Sequence, residues 1–219
     1  METKKPKVLL GVISNRSNWP VYFVNSLIAL YMTTKEEGNI DIKIRIFGAA
    51  EIQQMRNYCV KHAIENGYDY IFMLDEDMMY PKDSIIKLIK HDKDFVVGSA
   101  TQRMSPFLPT QYKEYKDNNF KHPSNRVFVS KKKQKLVKIG GTGVVGALIK
   151  TSVFKKLKAP YFKLEYKENG FNVLGSDIYF CEQLKKAKIP MYLDTTVNYE
   201  HEVLSFSNSF GIHLFDYRS

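Results

Sequence analysis

Apolar and polar positions alternate in blocks along the first hundred residues of the chain. The run KVLLGVIS (7–14) is continuously apolar, which is typical of a strand buried on both faces. IDIKIRIF (40–47) alternates strictly between apolar and polar residues, and this predicts a strand with one polar face. The runs YIFML (70–74) and DFVVGSA (94–100) predict two further strands.

Segments with helical character separate these strands. VYFVNSLIALYMTT (21–34) is mostly apolar. EIQQMRNYCVKHAIENG (51–67) repeats apolar residues at helical spacing and ends at Gly67, a residue type that often follows a last helical turn. SIIKLIKHD (84–92) predicts a third helix. This alternation of strands and helices favours an α/β fold with a parallel sheet.

The second half of the chain has a weaker pattern. We predict strands at NRVFVS (125–130), KLVKIGG (135–141) and VVGALIK (144–150). We predict helices at TSVFKKL (151–157) and DIYFCEQLKKAKI (177–189). The last twenty residues show no clear period, and we expect an irregular tail that packs over the functional site.

Three consecutive acids, Asp75, Glu76 and Asp77, follow the third predicted strand. Open parallel sheets bind ligands outside the carboxyl ends of their strands. These acids and the loop after the first strand, with Asn15 and Arg16, are therefore expected to share one rim. Asp75 and Asp77 point the same way if the chain stays extended, and carboxylates suit Mg²⁺ or Mn²⁺ holding a diphosphate. The alternative is that Asp77 or Asp83 only caps the next helix.

Composition narrows the class of protein. The 219 residues are 44% hydrophobic and 26% charged, as in a soluble globular domain. No apolar run approaches the length of a membrane span and METKKPK lacks an apolar leader segment, so a cytoplasmic protein is expected. Cys59 and Cys181 lie in predicted helices without paired spacing, which argues against a disulfide framework.

The net charge of +10 is compatible with a nucleic-acid binder, a membrane-surface enzyme or an enzyme with anionic substrates. Much of it lies in SKKKQKLVK (130–138), which we interpret as a solvated loop or an edge strand. The remaining charge is spread over predicted helix surfaces. We therefore expect no nucleic-acid partner, and a peripheral membrane contact stays open.

The order of the segments resembles that of the GT-A glycosyltransferases, which bind nucleotide-sugars. The matching segments are, in order, GVISNRSN, QQMRN, MLDEDMMYP, GGTGVVGALIKTSVFKKL, GSDIYFCEQLKKAKIPMYLD and NYEHE. The resemblance covers about residues 7–202, and it lies in the order and spacing of loose motifs. It implies one Rossmann-like GT-A domain over 1–219, with a nucleotide-sugar-binding half (1–100) and an acceptor half with the tail (101–219).

The resemblance also implies roles for single residues. Asp77 matches the last acid of the family's D-x-D motif and is expected to bind the metal. Asp75 matches the first acid, which contacts the ribose, or the metal through water. His201 follows a strand predicted at MYLDTTVNYEH, where many members carry a metal-binding histidine.

Asp177 matches the family's general base, which deprotonates the acceptor hydroxyl. Ser176 stands where the family has a glutamate, and a helix cap at Ser176 or Asp177 is the alternative. Arg56 matches a phosphate or nucleotide contact, with a plain surface arginine as the equal alternative. Asn15 and Arg16 are expected to line the nucleotide site.

The implied function is a metal-dependent glycosyltransferase. With Mn²⁺ or Mg²⁺ it would move a sugar from a UDP- or GDP-sugar to a glycan, lipid or protein acceptor, with inversion as the expected outcome. A nucleotidylyltransferase is the alternative, although GVISNRSNWP lacks the glycine-rich, basic signature of those enzymes. A metal-dependent nucleic-acid-binding protein is a more distant one.

Overall fold

A seven-stranded sheet forms the centre of the computed structural model, in the order β2-β1-β3-β7-β5-β10-β6. The structure describes residues 5–114, 123–130, 136–166, 173–203, 205–208 and 211–214. The sheet strands are β1 (Lys7–Ile13), β2 (Asp41–Phe47), β3 (Tyr70–Asp75), β5 (Phe95–Ser99), β6 (Leu136–Ile139), β7 (Ala147–Lys150) and β10 (Met191–Asn198). The shorter strands are β4 (Met78–Met79), β8 (Glu165–Tyr166), β9 (Val173–Leu174), β11 (Glu200–His201), β12 (Ser205–Asn208) and β13 (Gly211–Leu214).

The α-helices of the described residues are α1 (Val21–Glu37), α2 (Ile52–Glu65), α3 (Ser84–Ile89) and α4 (Ser176–Lys186). The crossover from β1 to β2 runs one way along the sheet, and the crossover from β2 to β3 runs back past β1. Because such crossovers are right-handed, α1 and α2 lie on opposite faces. Helix α3 packs beside α1, and α2 packs beside a 3₁₀ helix at Thr151–Lys156.

Five of the seven strands point the same way. β1 pairs in parallel with β2 and β3, and β5 pairs in parallel with β10. β7 runs antiparallel between β3 and β5, and β6 runs antiparallel along β10 at the edge. The predicted α/β fold, a mostly parallel sheet flanked by helices, is confirmed.

Burial follows the sequence pattern. β1 and β3 lie inside the sheet, and their apolar runs are buried, with Leu9, Leu10 and Phe72 fully shielded from solvent. Strand β2 is at the edge and leaves residues 43–46 exposed. The carboxyl ends of β1, β3 and β5 lie at one rim, because these strands share one direction.

Three of the predicted elements differ from the structure. The strand predicted at 125–130 is wrong: its first residue ends a 3₁₀ helix, and the segment pairs with residues 111–112 through an isolated bridge between Arg126 and Tyr112 and a hydrogen bond from the Val127 N–H to the carbonyl of Gln111, without forming a strand. The helix predicted at 151–157 is a short 3₁₀ helix. In the last twenty residues β12 and β13 form a paired hairpin, whereas an irregular tail was expected.

The lysine-rich segment 130–138 ends in the edge strand β6, as one of the two interpretations expected. Residues 131–135 lie outside the described residues, as does the side-chain packing of the C-terminal tail. Both cysteines are buried and free, so they form no disulfide with each other. In the described part of the chain, no helix has the length and apolar character needed to cross a bilayer.

Candidate functional site

The acidic end of β3 is followed by a turn, and the turn leads into a short antiparallel pair. After Asp75 the chain turns through residues 76–77 and enters β4. β4 pairs with β11, so that His201 lies opposite Met78. The backbone N–H of Glu202 donates to the carbonyl of Asp77 at 2.8 Å. This pairing brings His201 to Asp77 from far along the chain.

Asp77 and His201 are in direct contact. His201 Nε2 lies 3.2 Å from Asp77 Oδ2, and Nδ1 lies 2.9 Å from the carbonyl oxygen of Thr101. Only Nδ1–H can donate to that carbonyl, so Nε2 is the nitrogen that carries the lone pair when the ring is neutral. In the neutral ring this lone pair would face the Asp77 carboxylate. The contact is therefore favourable only when Nε2 is protonated or when a cation lies between the two groups.

The pKa values of this pair move apart. Burial lowers the pKa of His201, but its hydrogen bond with Asp77 and the nearby carboxylate charge outweigh burial and raise it above the usual histidine value. Burial raises the pKa of Asp77, yet the same hydrogen bond and the charges of His201 and Arg103 hold it below the usual range. The pair therefore retains a proton above the ordinary histidine range.

Arg56 links the acidic strand end to the start of α4. It is 4% exposed, so the surface-arginine interpretation is wrong. Its Nη2 lies 3.3 Å from Asp75 Oδ2, and its Nη1 donates to both Asp177 Oδ1 and Ser176 Oγ. Arg56 thus holds the predicted base and the first predicted acid in one buried network through its two terminal nitrogens, while its buried Nε has no partner among the described residues.

Asp75 retains an unused acceptor in this network. Its Oδ1 is buried and has no hydrogen-bond partner among the described residues. Burial raises the pKa of Asp75 to about 6, an effect that the charge of Arg56 reduces and that Asp177 and Asp77 reinforce. A buried carboxylate oxygen without a donor is costly, and it suits a ribose hydroxyl or a cation-bound water.

The two acids of the D-x-D motif face different partners. We expected Asp75 and Asp77 to point the same way, which requires an extended chain, but the turn at residues 76–77 breaks the alternation. Asp75 therefore meets Arg56, and Asp77 meets His201. Within the described residues, no group of three or more His, Cys, Asp or Glu side chains is placed to hold a metal by itself.

Capping does not explain either candidate acid. The N-cap of α4 is Gly175, and no side-chain hydrogen bond caps this helix. The N-cap of α3 is Asp83, so Asp77 caps no helix. Asp177 sits in the first turn of α4 with its side chain 27% exposed, and its Oδ2 comes within 3.6 Å of the place a side chain on Gly143 would take. Because Gly143 has no side chain, this oxygen can face a substrate.

The loop after β1 reaches the same rim but is tied to protein groups. The Asn15 amide donates to the carbonyl of Ala50 and accepts from the N–H of Ala49, both at 2.8 Å. Arg16 pairs with Glu202 at 3.1 Å and with Glu76 at 3.5 Å. Both residues therefore shape the rim, and their predicted nucleotide contacts stay predictions.

Two residues of this cluster had no assignment from the sequence. Glu202 holds Arg16, and Arg103 lies with Nη1 3.6 Å from Asp77 Oδ2. Arg103 follows β5, and the rule that ligands collect after parallel strands points to that position. No residue pattern in 102–138 singled it out.

Tyr199 supports the strand that carries His201. Its hydroxyl donates to the carbonyl of Gly146 at 2.7 Å. A Cβ atom at Gly98 would lie 2.5 Å from the Tyr199 ring, and one at Gly146 would lie 2.2 Å from it. The two glycines therefore create the space in which Tyr199 fixes the entry into β11.

The electrostatics of the rim favour a cation. Five carboxylates and three guanidinium groups meet there, so two negative charges remain when His201 is neutral. A divalent ion balances that excess. The residues fit such an ion: neighbouring ligands of an octahedral Mg²⁺ are about 3 Å apart, close to the 3.2 Å between His201 Nε2 and Asp77 Oδ2.

A cavity of about 600 Å³ lies at the opposite rim of the sheet. It is bordered by the start of β10, the end of β6 and the lysines after α4, and Lys138 and Lys188 line it. None of the residues of the acidic cluster lines this cavity. The chemistry of the candidate site is therefore separate from this space.

Neither a protein-family model nor a curated protein sequence matches the chain. Among solved structures, the chain is similar to a crystal structure of A197 from STIV, with a TM-score of 0.57 and 16% identity over 96% of this chain and 94% of that one. It is less similar to UDP-glucose pyrophosphorylase complexed with UDP-glucose, with a TM-score of 0.47 and 6% identity over 88% and 90% of the two chains. UTP-bound UGPase from Acinetobacter baumannii has a TM-score of 0.45 and 8% identity over 90% and 88%. At these identities, the likeness concerns the fold alone.

Proposed function

We propose that this chain is a metal-dependent glycosyltransferase that moves a sugar from a nucleoside diphosphate to an acceptor hydroxyl. The observation that carries the proposal is the meeting of Asp77 with His201, and of Asp75 with Asp177 through Arg56, at one rim of a parallel sheet. The cation is Mn²⁺ or Mg²⁺, and its ligands are Asp77 and His201. When bound, it offsets the charge that builds up on the departing diphosphate.

The chain's own residues divide the remaining work. The unpartnered Oδ1 of Asp75 accepts a hydrogen bond from the donor, such as a ribose hydroxyl. Asp177 takes the proton of the acceptor hydroxyl through Oδ2, while Arg56 holds Oδ1 and keeps the carboxylate oriented. Arg56 acts as a positioning residue, because both of its terminal nitrogens donate to protein groups. Attack by the acceptor on the anomeric carbon would invert its configuration.

Nucleotidylyl transfer is the second candidate. Two of the similar structures, of UDP-glucose pyrophosphorylase and of a UGPase, are of enzymes of this kind. The names of these similar structures therefore favour nucleotidylyl transfer over glycosyl transfer. The residues after β1 favour glycosyl transfer. The loop has no glycine-rich, basic signature, and Arg16 is occupied by Glu76 and Glu202.

The experiment compares the products of two reactions. The protein is incubated with UDP- and GDP-sugars and Mn²⁺, and release of the nucleoside diphosphate is measured. In parallel, it is given UTP and glucose 1-phosphate, and release of pyrophosphate is measured. We expect the first product and not the second, with loss of activity in EDTA and recovery with added Mn²⁺.

The variant Asp77→Asn tests the metal ligand. It keeps the size of the side chain but removes a negative ligand from the cation, so it should reproduce the effect of EDTA.

Two outcomes of these experiments would contradict the proposal. Pyrophosphate release in place of nucleoside diphosphate release would favour the second candidate. Full glycosyl transfer in EDTA would exclude the metal.

A further inference from the structure

Three arginines surround the acidic cluster, and they differ in how fully their donors are used. Arg56 pairs with two carboxylates and a hydroxyl, and Arg16 pairs with two carboxylates. Within the described residues, Arg103 has one carboxylate in reach, that of Asp77, at 3.6 Å. That distance is too long for a hydrogen bond, so the contact is an ion pair.

The guanidinium group of Arg103 retains unused donors. Its Nε is buried and, like that of Arg56, has no partner among the described residues, but the Arg103 side chain is 35% exposed whereas that of Arg56 is 4% exposed. A guanidinium group has five N–H donors in a planar fork. Arg103 is therefore a positive charge beside Asp77 with capacity to bind a further anion.

The backbone holds Arg103 in this position. We call residues 100–110 the 100–110 hairpin, which is closed by two backbone hydrogen bonds: Thr110 N–H donates to Ala100 at 2.9 Å, and Gln102 N–H donates to Leu108 at 2.8 Å. The hairpin also contains Thr101, whose carbonyl orients His201. One short element thus sets both the histidine tautomer and the place of the arginine.

Arg103 and a bound cation compete for the same atom. The same oxygen, Asp77 Oδ2, lies 3.6 Å from Arg103 Nη1 and 3.2 Å from His201 Nε2. A divalent ion held by Asp77 and His201 takes this oxygen and repels the guanidinium group. Arg103 then loses the one carboxylate that is in its reach and needs another anion.

We propose that Arg103 exchanges partners when the site is loaded, an inference that rests on the proposed function. Without a bound cation it neutralises Asp77. Once a divalent cation occupies Asp77, its fork binds a phosphate of the nucleoside diphosphate, a geometry for which arginine is well suited. Arg103 therefore weakens binding of the cation alone and strengthens binding of the diphosphate, so that the two bind as a coupled pair.

The test separates these two effects by equilibrium binding. Mn²⁺ is titrated alone, and UDP and UMP are titrated in saturating Mn²⁺, by calorimetry. The variants are Arg103→Gln, which removes the charge, and Arg103→Lys, which keeps the charge without the fork. Lys61→Gln is the matched control, because its side chain is 70% exposed and pairs with Glu65 on the helix surface.

Opposite changes are expected in Arg103→Gln. Mn²⁺ alone should bind roughly two- to fivefold more tightly, the worth of an exposed ion pair. UDP with Mn²⁺ should bind roughly ten- to a hundredfold more weakly, because a charge-assisted contact is lost. UMP should change less, since it lacks the second phosphate. Arg103→Lys should lie between wild type and Arg103→Gln, and Lys61→Gln should match wild type.

Three results would overturn the inference. If wild type binds UDP with Mn²⁺ and Arg103→Gln binds it within twofold of wild type, Arg103 has no phosphate role and the proposed function stands. If Arg103→Gln weakens Mn²⁺ and UDP by the same factor, there is no exchange of partners. If wild type binds neither UDP nor GDP with Mn²⁺, the proposed function fails, and this inference fails with it.

Discussion

Arg56 illustrates how a single charged residue organises the site. It lies on α2 among buried residues, although its sequence position is outside the apolar stripe. Burial of an arginine is unfavourable unless its charge is paired, and here Asp75 and Asp177 supply the pairing. The same contact holds Asp177 in one orientation. A general base needs such orientation, because proton transfer depends on hydrogen-bond geometry.

The role of Asp177 can be separated from its structural contact. In Asp177→Asn the side chain keeps its size and can still accept a hydrogen bond from Arg56, but it is no longer a base. Turnover should fall by about 10²-fold or more, while the affinity for UDP with Mn²⁺ should stay within about twofold of wild type. Nucleoside diphosphate release and calorimetry measure the two quantities.

Glu182→Gln is a suitable control for this variant. Glu182 lies on the same helix as Asp177, and its substitution also removes one negative charge. It should leave turnover unchanged. If Asp177→Asn folds normally and turns over at the wild-type rate, Asp177 is not the base. Its carboxylate would then serve only to neutralise Arg56.

The sequence identified most of the residues that meet at the rim but not their contacts. Asp75, Asp77, Asp177 and His201 were selected by position, and the structure brings them to one region. What position did not reveal was that Asp75 and Asp77 diverge. The two carboxylates diverge because the backbone turns at residues 76–77, and the spacing of apolar residues does not predict such a turn.

At the scale of elements, the pairing of β4 with β11 determines the site. Each strand has two residues, and such short segments have no periodic pattern for sequence analysis to detect. Their contact depends on the long strands β3 and β10, because β4 follows the end of β3 and β11 follows the end of β10. The long strands were predicted because they are buried runs, whereas β4 and β11 follow from tertiary structure.

Packing around Tyr199 offers a test at this scale. Gly98→Ala in β5 would place a methyl group 2.5 Å from the Tyr199 ring, so the ring and the entry into β11 must shift. Overpacking of this kind costs roughly 1–3 kcal/mol of the free energy of unfolding. Because His201 follows Tyr199 closely, Mn²⁺ affinity in the presence of UDP should fall as well. Urea unfolding and Mn²⁺ titration measure the two effects.

Gly175→Ala is the matched control. A Cβ at Gly175 meets nothing within 4 Å, and its φ of −61° suits any residue. Its stability should change by less than about 1 kcal/mol, and Mn²⁺ affinity should not change. If Gly98→Ala retains wild-type Mn²⁺ affinity despite lower stability, Tyr199 supports the fold but does not position His201.

At the scale of the whole molecule, the titratable groups of the site make the stability of the protein sensitive to pH. Burial raises the pKa of Asp75 to about 6, and contact with Asp77 raises that of His201 against the opposing effect of burial. Both groups bind a proton more tightly in the folded than in the unfolded state. Their contribution to stability is therefore present at low pH and is lost as pH rises.

The pH windows of the two groups differ. The contribution of Asp75 is fully present below its unfolded pKa near 4 and is lost as pH rises through its folded value of about 6. His201 contributes below its unfolded pKa of about 6.5 and loses its effect as pH rises through the raised folded pKa. The lowered pKa of Asp77 works in the other direction, because its stability is lost as pH falls below about 4. From these three groups, the ligand-free protein should be most stable near pH 4.

Loading of the site should reverse this dependence. A cation bound to His201 requires the neutral ring, so Mn²⁺ with UDP competes with the proton and stabilises the protein more as pH rises. We expect the melting temperature of the ligand-free protein to fall from pH 5 to pH 8, and that of the loaded protein to fall less or to rise. Asp75→Asn should flatten the ligand-free curve between pH 4 and 6, and His201→Gln should flatten it above pH 6.5.

The variant His201→Gln also tests the metal ligand. In this variant, Mn²⁺ affinity should lose its dependence on pH between about 6 and 8. Equal Mn²⁺ affinities and equal pH profiles for wild type and His201→Gln would refute ligation by His201, and the cation would then be held by carboxylates without the imidazole.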